Sequence, residues 1–155
     1  MSRLSAAARW AAWPLTIARV VLGGLWIAEA LIKFRAGFGA ADMLLVVDSV
    51  TGNSRTPAPM KWFAAEVIEP LAGLFGVLIP WLEAGLGVLL ILGLGTVLVL
   101  AGALGTLLMY WSSDQLTASY PLMAALGVLL LLFPHAADRI GLDGLLRRRR
   151  APEVG

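Results

Sequence analysis

Residues 62–95 read WFAAEVIEPLAGLFGVLIPWLEAGLGVLLILGLG, a nearly unbroken apolar run carrying only three acids, Glu66, Glu69 and Glu83. A straight helix of that length would measure ~50 Å. The hydrocarbon core of a bilayer is only ~30 Å thick. The run must therefore bend or lie partly flat, and Pro70 and Pro80 are the expected hinges. The spacing predicts an amphipathic or re-entrant entry over 62–72, followed by a membrane-crossing helix over 73–93. Gly93-Leu94-Gly95 then closes it with a tight turn.

Working outward, the same grammar repeats. A helix is expected over 14–36, one over 96–111, and one over 121–133 that Pro121 opens and Pro134 stops. Between the first two, residues 37–62 are polar and turn-rich, with Gly37, Gly39, Gly52, Asn53, Ser54, Pro57 and Pro59. The segment from Asp42 to Asp48 is expected to form a short interfacial helix. This connection is long for a bundle turn, so it is expected to pack on the bundle. The fold class is thus all-α: one integral-membrane four-helix bundle, with a possible interfacial or re-entrant helix between the first two spans. The string Leu-Gly-Val-Leu-Leu recurs at 86–90 and 126–130, too short a match in such helices to make a repeat.

Composition supports this. The chain has 155 residues, 59% hydrophobic and 14% charged. Soluble domains average roughly 45–50% apolar and roughly 25% charged. A net charge of +2 is too small to argue for nucleic acid. There are no cysteines, which removes disulfides, thiol catalysis, iron–sulfur clusters and c-type haem attachment. The single histidine, His135, excludes bis-histidine haem ligation within the chain, and the scattered acids show no metal-ligand spacing. No Walker loop, GxGxxG or Ser–His–acid pattern is present. Ala28-Glu29-Ala30 imitates a signal-peptide cleavage site, but the run is too long for an h-region and has Arg19 in its middle.

Lysine and arginine set the expected orientation. Arg3, Arg9, Arg139 and Arg147 to Arg150 flank the two ends of the chain, against Lys33, Arg35, Arg55 and Lys61 on the other side. The excess places both termini in the cytoplasm and the protein in the plasma membrane. The basic tail, 139–155, is expected to lie on anionic lipid. Trp10, Trp13, Trp62, Tyr110, Trp111 and Tyr120 fall near helix ends, as an interfacial belt would. The stretch Gly102-Ala103-Leu104-Gly105, with Ala101, is expected to let a neighbour pack closely on the third span.

Buried charge carries the functional signal, because an ionisable group in hydrocarbon costs about 2.5–3.5 kcal/mol at mid-helix. Arg19, Gly23, Trp26, Ala30 and Lys33 share one face of the first span, with Glu29 beside them and one turn before Lys33. Glu66, Glu69, Gly73, Gly76, Pro80, Glu83 and Gly87 make the facing seam. Antiparallel packing is expected to bring Lys33 toward Glu66 and Glu69, and Arg19 toward Glu83. Two readings stay open: a structural ion network, or a ligand head group and proton path between the seams. On the second, Glu83, Arg19 and Lys33 are the candidate catalytic groups. Trp26, Glu29, Glu66 and Glu69 are candidate ligand contacts.

Three stretches carry a resemblance. ARVVLGGLWIAEALIKF (18–34), PWLEAGLGVLLILGLGT (80–96) and DRIGLDGLLRRR (138–149) together resemble, in order and spacing, the DoxX/DoxD family of membrane proteins. Arg19, Lys33, Glu83 and Asp143 are the matching polar positions, while Val97 stands where many members place an arginine. The resemblance implies a four-helix membrane protein, one branch being the membrane subunit of thiosulfate:quinone oxidoreductase. Quinone is then the implied cofactor, and other membrane or peripheral subunits the implied partners. Two alternatives are a non-catalytic accessory or scaffold subunit and a small transporter or lipid-binding protein.

Overall fold

The computed structural model describes the backbone of residues 3–137 and 139–150, and the side chains of 13–137 and 139–149. The side chains of Arg3, Arg9, Trp10 and Arg150, and the tail from 151 on, lie outside the described residues. The described chain is all helical: α1 (Arg3–Ala36), α2 (Ala40–Gly52), α3 (Ala58–Phe63), a π-helical turn (Ala64–Ile68), α4 (Ala72–Leu92), α5 (Thr96–Ser112), α6 (Tyr120–Leu132), α7 (Pro134–Ala137) and α8 (Leu142–Arg150). The first helix starts well before the expected residue 14, and Pro14 sits inside it.

The long apolar run bends where one of its two prolines predicts. The π turn and the residues around Pro70 break the chain, whereas α4 runs on through Pro80. The interfacial segment expected over 42–48 is the middle of α2.

Two helical stretches, Trp13–Ala36 and Ala72–Leu92, are long and apolar enough to cross a membrane. The other two expected spans are apolar but shorter, 17 residues in α5 and 13 in α6. The sixth helix is short because Phe133-Pro134 interrupts it, so the chain continues as α7 rather than as one rod. Aliphatic side chains cover the outer faces of these helices. Ile17, Ile32, Val77, Leu108 and Leu132 are exposed, and Leu98 is 81% exposed.

α1 and α4 form the central pair. A Cβ on Gly23 would stand 2.8 Å from the Gly87 carbonyl oxygen, and one on Gly87 would stand 2.8 Å from the Gly23 oxygen. The two backbones meet because neither carries a side chain there, as the two seams predict. The small residues of α5 divide, with Ala103 buried on the packing face. Ala101, Gly102 and Gly105 are exposed, and a Cβ on Gly105 would meet nothing. The face of α5 that packs is that of Val99, Leu100, Ala103 and Leu107.

The core has two parts. One, around Leu22, Trp26, Leu90, Leu100, Met123 and Leu130, joins α1, α4, α5 and α6. The other, around Met43, Val47, Val50, Met60 and Ile68, joins α2 and α3 to the π turn and the start of α4. This second core seats the 37–62 connection on the bundle, as its length suggests. A Cβ on Gly76 would fall 2.5–2.8 Å from the backbone of Gly39 and Ala40, so α2 begins hard against α4.

Candidate functional site

The polar residues singled out in the sequence separate into two groups at opposite ends of the bundle. The first group is a clasp around the α4–α5 turn. Helix α4 ends with carbonyls that have no helical partner, and α5 begins with amides in the same position. Arg19, 1% exposed, donates to the first set: Nη1 to the Leu90 oxygen and, at 3.2 Å, to that of Ile91. Its Nε and Nη2 reach the oxygens of Ala137 at 3.0 Å and Ile140 at 2.8 Å. A cation at a helix C-terminus also suits the helix dipole. Asp143 serves the second set, accepting from the Gly95 amide at 3.0 Å and the Thr96 amide at 2.9 Å. Its own amide donates to the Gly93 oxygen at 2.9 Å. Gly93 holds a positive φ of 65°, and a Cβ there would strike the Arg19 guanidinium at 2.5 Å. Arg19 therefore does not lie beside Glu83 as expected. Leu90 follows Glu83 by about two helical turns, ~10 Å along the axis, and the guanidinium donates to backbone carbonyls at that end.

Asp143 gives this clasp a pH dependence. Burial pushes its carboxyl up, but the Thr96 and Gly95 amides, the Thr96 side chain and the charge of Arg147 together outweigh it and hold the carboxyl below its ordinary value. A carboxyl depressed in the folded state stabilises the fold above its unfolded value, and that contribution is lost as pH falls through the folded one. Asp143→Ala is expected to cost about 0.5–2 kcal/mol at pH 7, as loss of a helix cap does. Thermal unfolding at a series of pH values should show the gap between wild type and variant closing below about pH 4. A gap independent of pH would show that the carboxylate charge is not what holds the turn.

The second group lies at the other end. The Nζ of Lys33, in the last turn of α1, is 2.8 Å from Glu83 Oε1 and 3.8 Å from Glu29 Oε2. The Tyr110 hydroxyl donates to the same Glu83 oxygen at 2.6 Å. Glu83 is 0% exposed, and its Oε2 has no hydrogen-bond partner. Glu29 accepts from the Ser119 hydroxyl at 2.8 Å. Tyr110 stacks on Tyr120 with ring centroids 5.4 Å apart, and Lys33 Nζ lies 5.7 Å from the Tyr110 centroid. One buried carboxylate thus joins an ammonium and a phenol, and a second carboxylate flanks them.

Lys33, Tyr110 and Tyr120 also line a cavity of about 200 Å³. Its remaining walls are mostly apolar, among them Phe38, Met43, Met60, Ile68, Phe75 and Ile79. At its rim Asp114 accepts from Asn53 Nδ2 and Arg55 Nη2, both at 2.7 Å, tying the α2–α3 connection to the α5–α6 loop. Asp114 holds a left-handed φ of 56° between the cavity residues Ser113 and Gln115.

The structure brings together Lys33, Glu83 and Glu29 from the expected set. Glu66 and Glu69 are exposed on the π turn and beside it, away from Lys33. The turn breaks the helical register that had put them in line with Glu83. Trp26 is fully buried in the main core, its indole N–H unpaired, and does not line the cavity. Tyr110 and Tyr120, expected in an interfacial belt, belong to the site instead. Their positions on either side of the polar 112–119 loop fit both readings, so position alone did not separate them.

Comparison with protein-family models, with curated proteins and with solved structures returns no match.

Proposed function

We propose that this chain is a multi-pass membrane protein whose cavity takes the head group of a quinone, acting as the membrane subunit of a quinone-linked oxidoreductase of the DoxX/DoxD type. The observation that carries the reading is Lys33 and Tyr110, both bonded to the buried Glu83, at one end of a mostly apolar cavity. Binding sites for small organic ligands have this character: apolar walls with a few convergent polar groups. An apolar cavity of about 150 Å³ suffices to hold benzene, so about 200 Å³ leaves room for one substituted ring.

The bundle is read as four membrane spans, α1, α4, α5 and α6, with α7 and α8 following on the cytoplasmic side. The exposed aliphatic faces of α5 and α6 support this, since soluble monomers seldom expose broad apolar surfaces. Arg19 ties the early part of α1 to α7 and the residues after it, so these segments share one end of the bundle. The lysine and arginine count assigns that end to the cytoplasm of a plasma-membrane protein.

Quinone reduction takes two electrons and two protons. With thiosulfate as donor, two thiosulfate ions join through a new S–S bond as tetrathionate and release the two electrons. The chain has no redox side chain of its own, so electrons pass directly from the donor or through a partner subunit. The Lys33 ammonium polarises a carbonyl oxygen of the ring. The Tyr110 hydroxyl delivers a proton, and Glu83 Oε1, which accepts from both Tyr110 and Lys33, is the path by which that proton is replaced. Arg19 has no part in this chemistry.

The test is quinone reduction with thiosulfate by the protein purified with any co-purifying subunits. Tyr110→Phe is expected to keep the fold and lower turnover by about a hundredfold or more. Wild-type turnover in Tyr110→Phe would remove the proposed proton donor. Absence of bound quinone and of turnover, with partners present, would favour a non-catalytic accessory subunit. The Lys33–Glu83 pair would then only fix the register of α1 on α4.

A further inference from the structure

We infer that the far end of the bundle carries a second site, for an anionic phospholipid, with its phosphate between Arg139 and Arg148. Two adjoining grooves share these two arginines. One is completed by Ile91, Leu92, Ile140, Leu142 and Leu145, and is largely apolar. The other is completed by His135, Gly144 and Arg147, and is basic. An amphiphile with one anionic group matches this pairing: acyl chains along the exposed Ile91 and Leu92 at the end of α4, phosphate among the arginines. Val88, one helical turn before Leu92 on α4, is exposed as well. Asp143, the acid of α8, accepts from the Gly95 and Thr96 amides and also attracts Arg147, so Arg139 and Arg148 are the arginines shared by both grooves on which the phosphate is placed.

Helix α8 has the composition of a helix lying in an interface. Leu142, Leu145 and Leu146 are exposed, and Arg147, Arg148 and Arg149 follow them. Arginine also presents a planar fork suited to phosphate oxygens. The expected orientation places this end on the cytoplasmic leaflet, where anionic lipids concentrate in many membranes. The inference rests on the membrane reading but not on the quinone.

The protein, stripped of lipid in a neutral detergent, would be titrated with short-chain phosphatidylglycerol, short-chain phosphatidylcholine and inorganic phosphate. Native mass spectrometry reads binding, and thermal unfolding reads stabilisation. Phosphatidylglycerol is expected to bind and raise Tm, and the other two probes are not. Each arginine near an anionic group is worth roughly a fivefold gain in affinity. Arg148→Gln should therefore weaken phosphatidylglycerol binding about fivefold or more. Arg149→Gln, which lines neither groove, should change it less than about twofold. Equal binding of phosphatidylcholine, binding of phosphate alone, or equal losses in the two variants would each overturn the site. Lipid binding without quinone binding would sink only the quinone. A chain monodisperse in buffer without detergent would overturn the membrane reading and the lipid site with it.

Discussion

Lys33→Met is expected to destabilise the protein by about 3–5 kcal/mol, the range for removing one partner of a buried ion pair. The substitution leaves the Glu83 carboxylate inside the bundle with one Tyr110 hydroxyl and no counter-charge. The Lys33 side chain keeps 15% of its surface exposed, so some water reaches that end and the lower part of the range applies. The second arm of the cycle is more informative. Replacing both partners, Lys33→Met with Glu83→Leu, is expected to regain most of the lost stability, because no charge is then stranded. Thermal unfolding in detergent of wild type, both single variants and the double variant yields the coupling directly. Near-zero coupling would mean that the two groups do not share a buried environment. A stable double variant is also the right protein in which to look for lost quinone binding, since its fold would be intact.

Arg19→Lys carries the second large effect. The guanidinium holds four carbonyl oxygens, from Leu90, Ile91, Ala137 and Ile140, with three nitrogens fixed in one plane. An ammonium on a shorter stem cannot reach both the end of α4 and the 137–140 segment. The Leu90 oxygen keeps the Gly93 amide, but the buried Ala137 oxygen and a part-buried one, of Ile91 or Ile140, lose the guanidinium, at about 1–3 kcal/mol each. The expected result is a loss of about 3 kcal/mol or more. Protease sensitivity should rise around α7 and α8 before the rest of the bundle opens. Limited proteolysis followed by peptide mapping checks this. Cleavage that starts instead near Lys33 would place the arginine's role elsewhere.

These two residues show how far the sequence could be read. Glycine spacing and apolar periodicity were enough to pair the first span with the second, and Gly23 meets Gly87 accordingly. The buried charges were also legible as buried, because Arg19, Glu29 and Glu83 lie on faces that must turn inward. Their partners were not. Counting along two antiparallel helices matched Arg19 with the nearest acid, but arginine is as well served by the free carbonyls of a helix end, which sequence spacing does not display. Glu66 and Glu69 failed for a local reason: a π turn adds residues per turn and shifts everything before Pro70 out of phase with Glu83. A head-group site between the charged seams was legible as one of two readings, but the walls of the cavity were not. Its walls come from the 37–62 connection folding over α4 and from Tyr110 on α5, contacts between segments far apart in sequence.

The shape of the site follows from that fold-over. α1 and α4 alone would leave Lys33 and Glu83 uncovered at the end of a helix pair. The α2–α3 connection, with its own core, covers them and leaves a pocket with a charged end. The Asn53, Arg55 and Asp114 contacts join the cover to the loop beyond α5. Placing the second core beside the charged cluster is what turns an ion pair into a candidate binding site.

A structure determined with a short-chain single-ring quinone added tests the central claim most directly. The ring is expected inside the cavity, with a carbonyl oxygen about 2.7–3.2 Å from Lys33 Nζ or the Tyr110 hydroxyl. A ring bound elsewhere on the bundle, or a cavity that stays closed by its own side chains at saturating quinone, would contradict it.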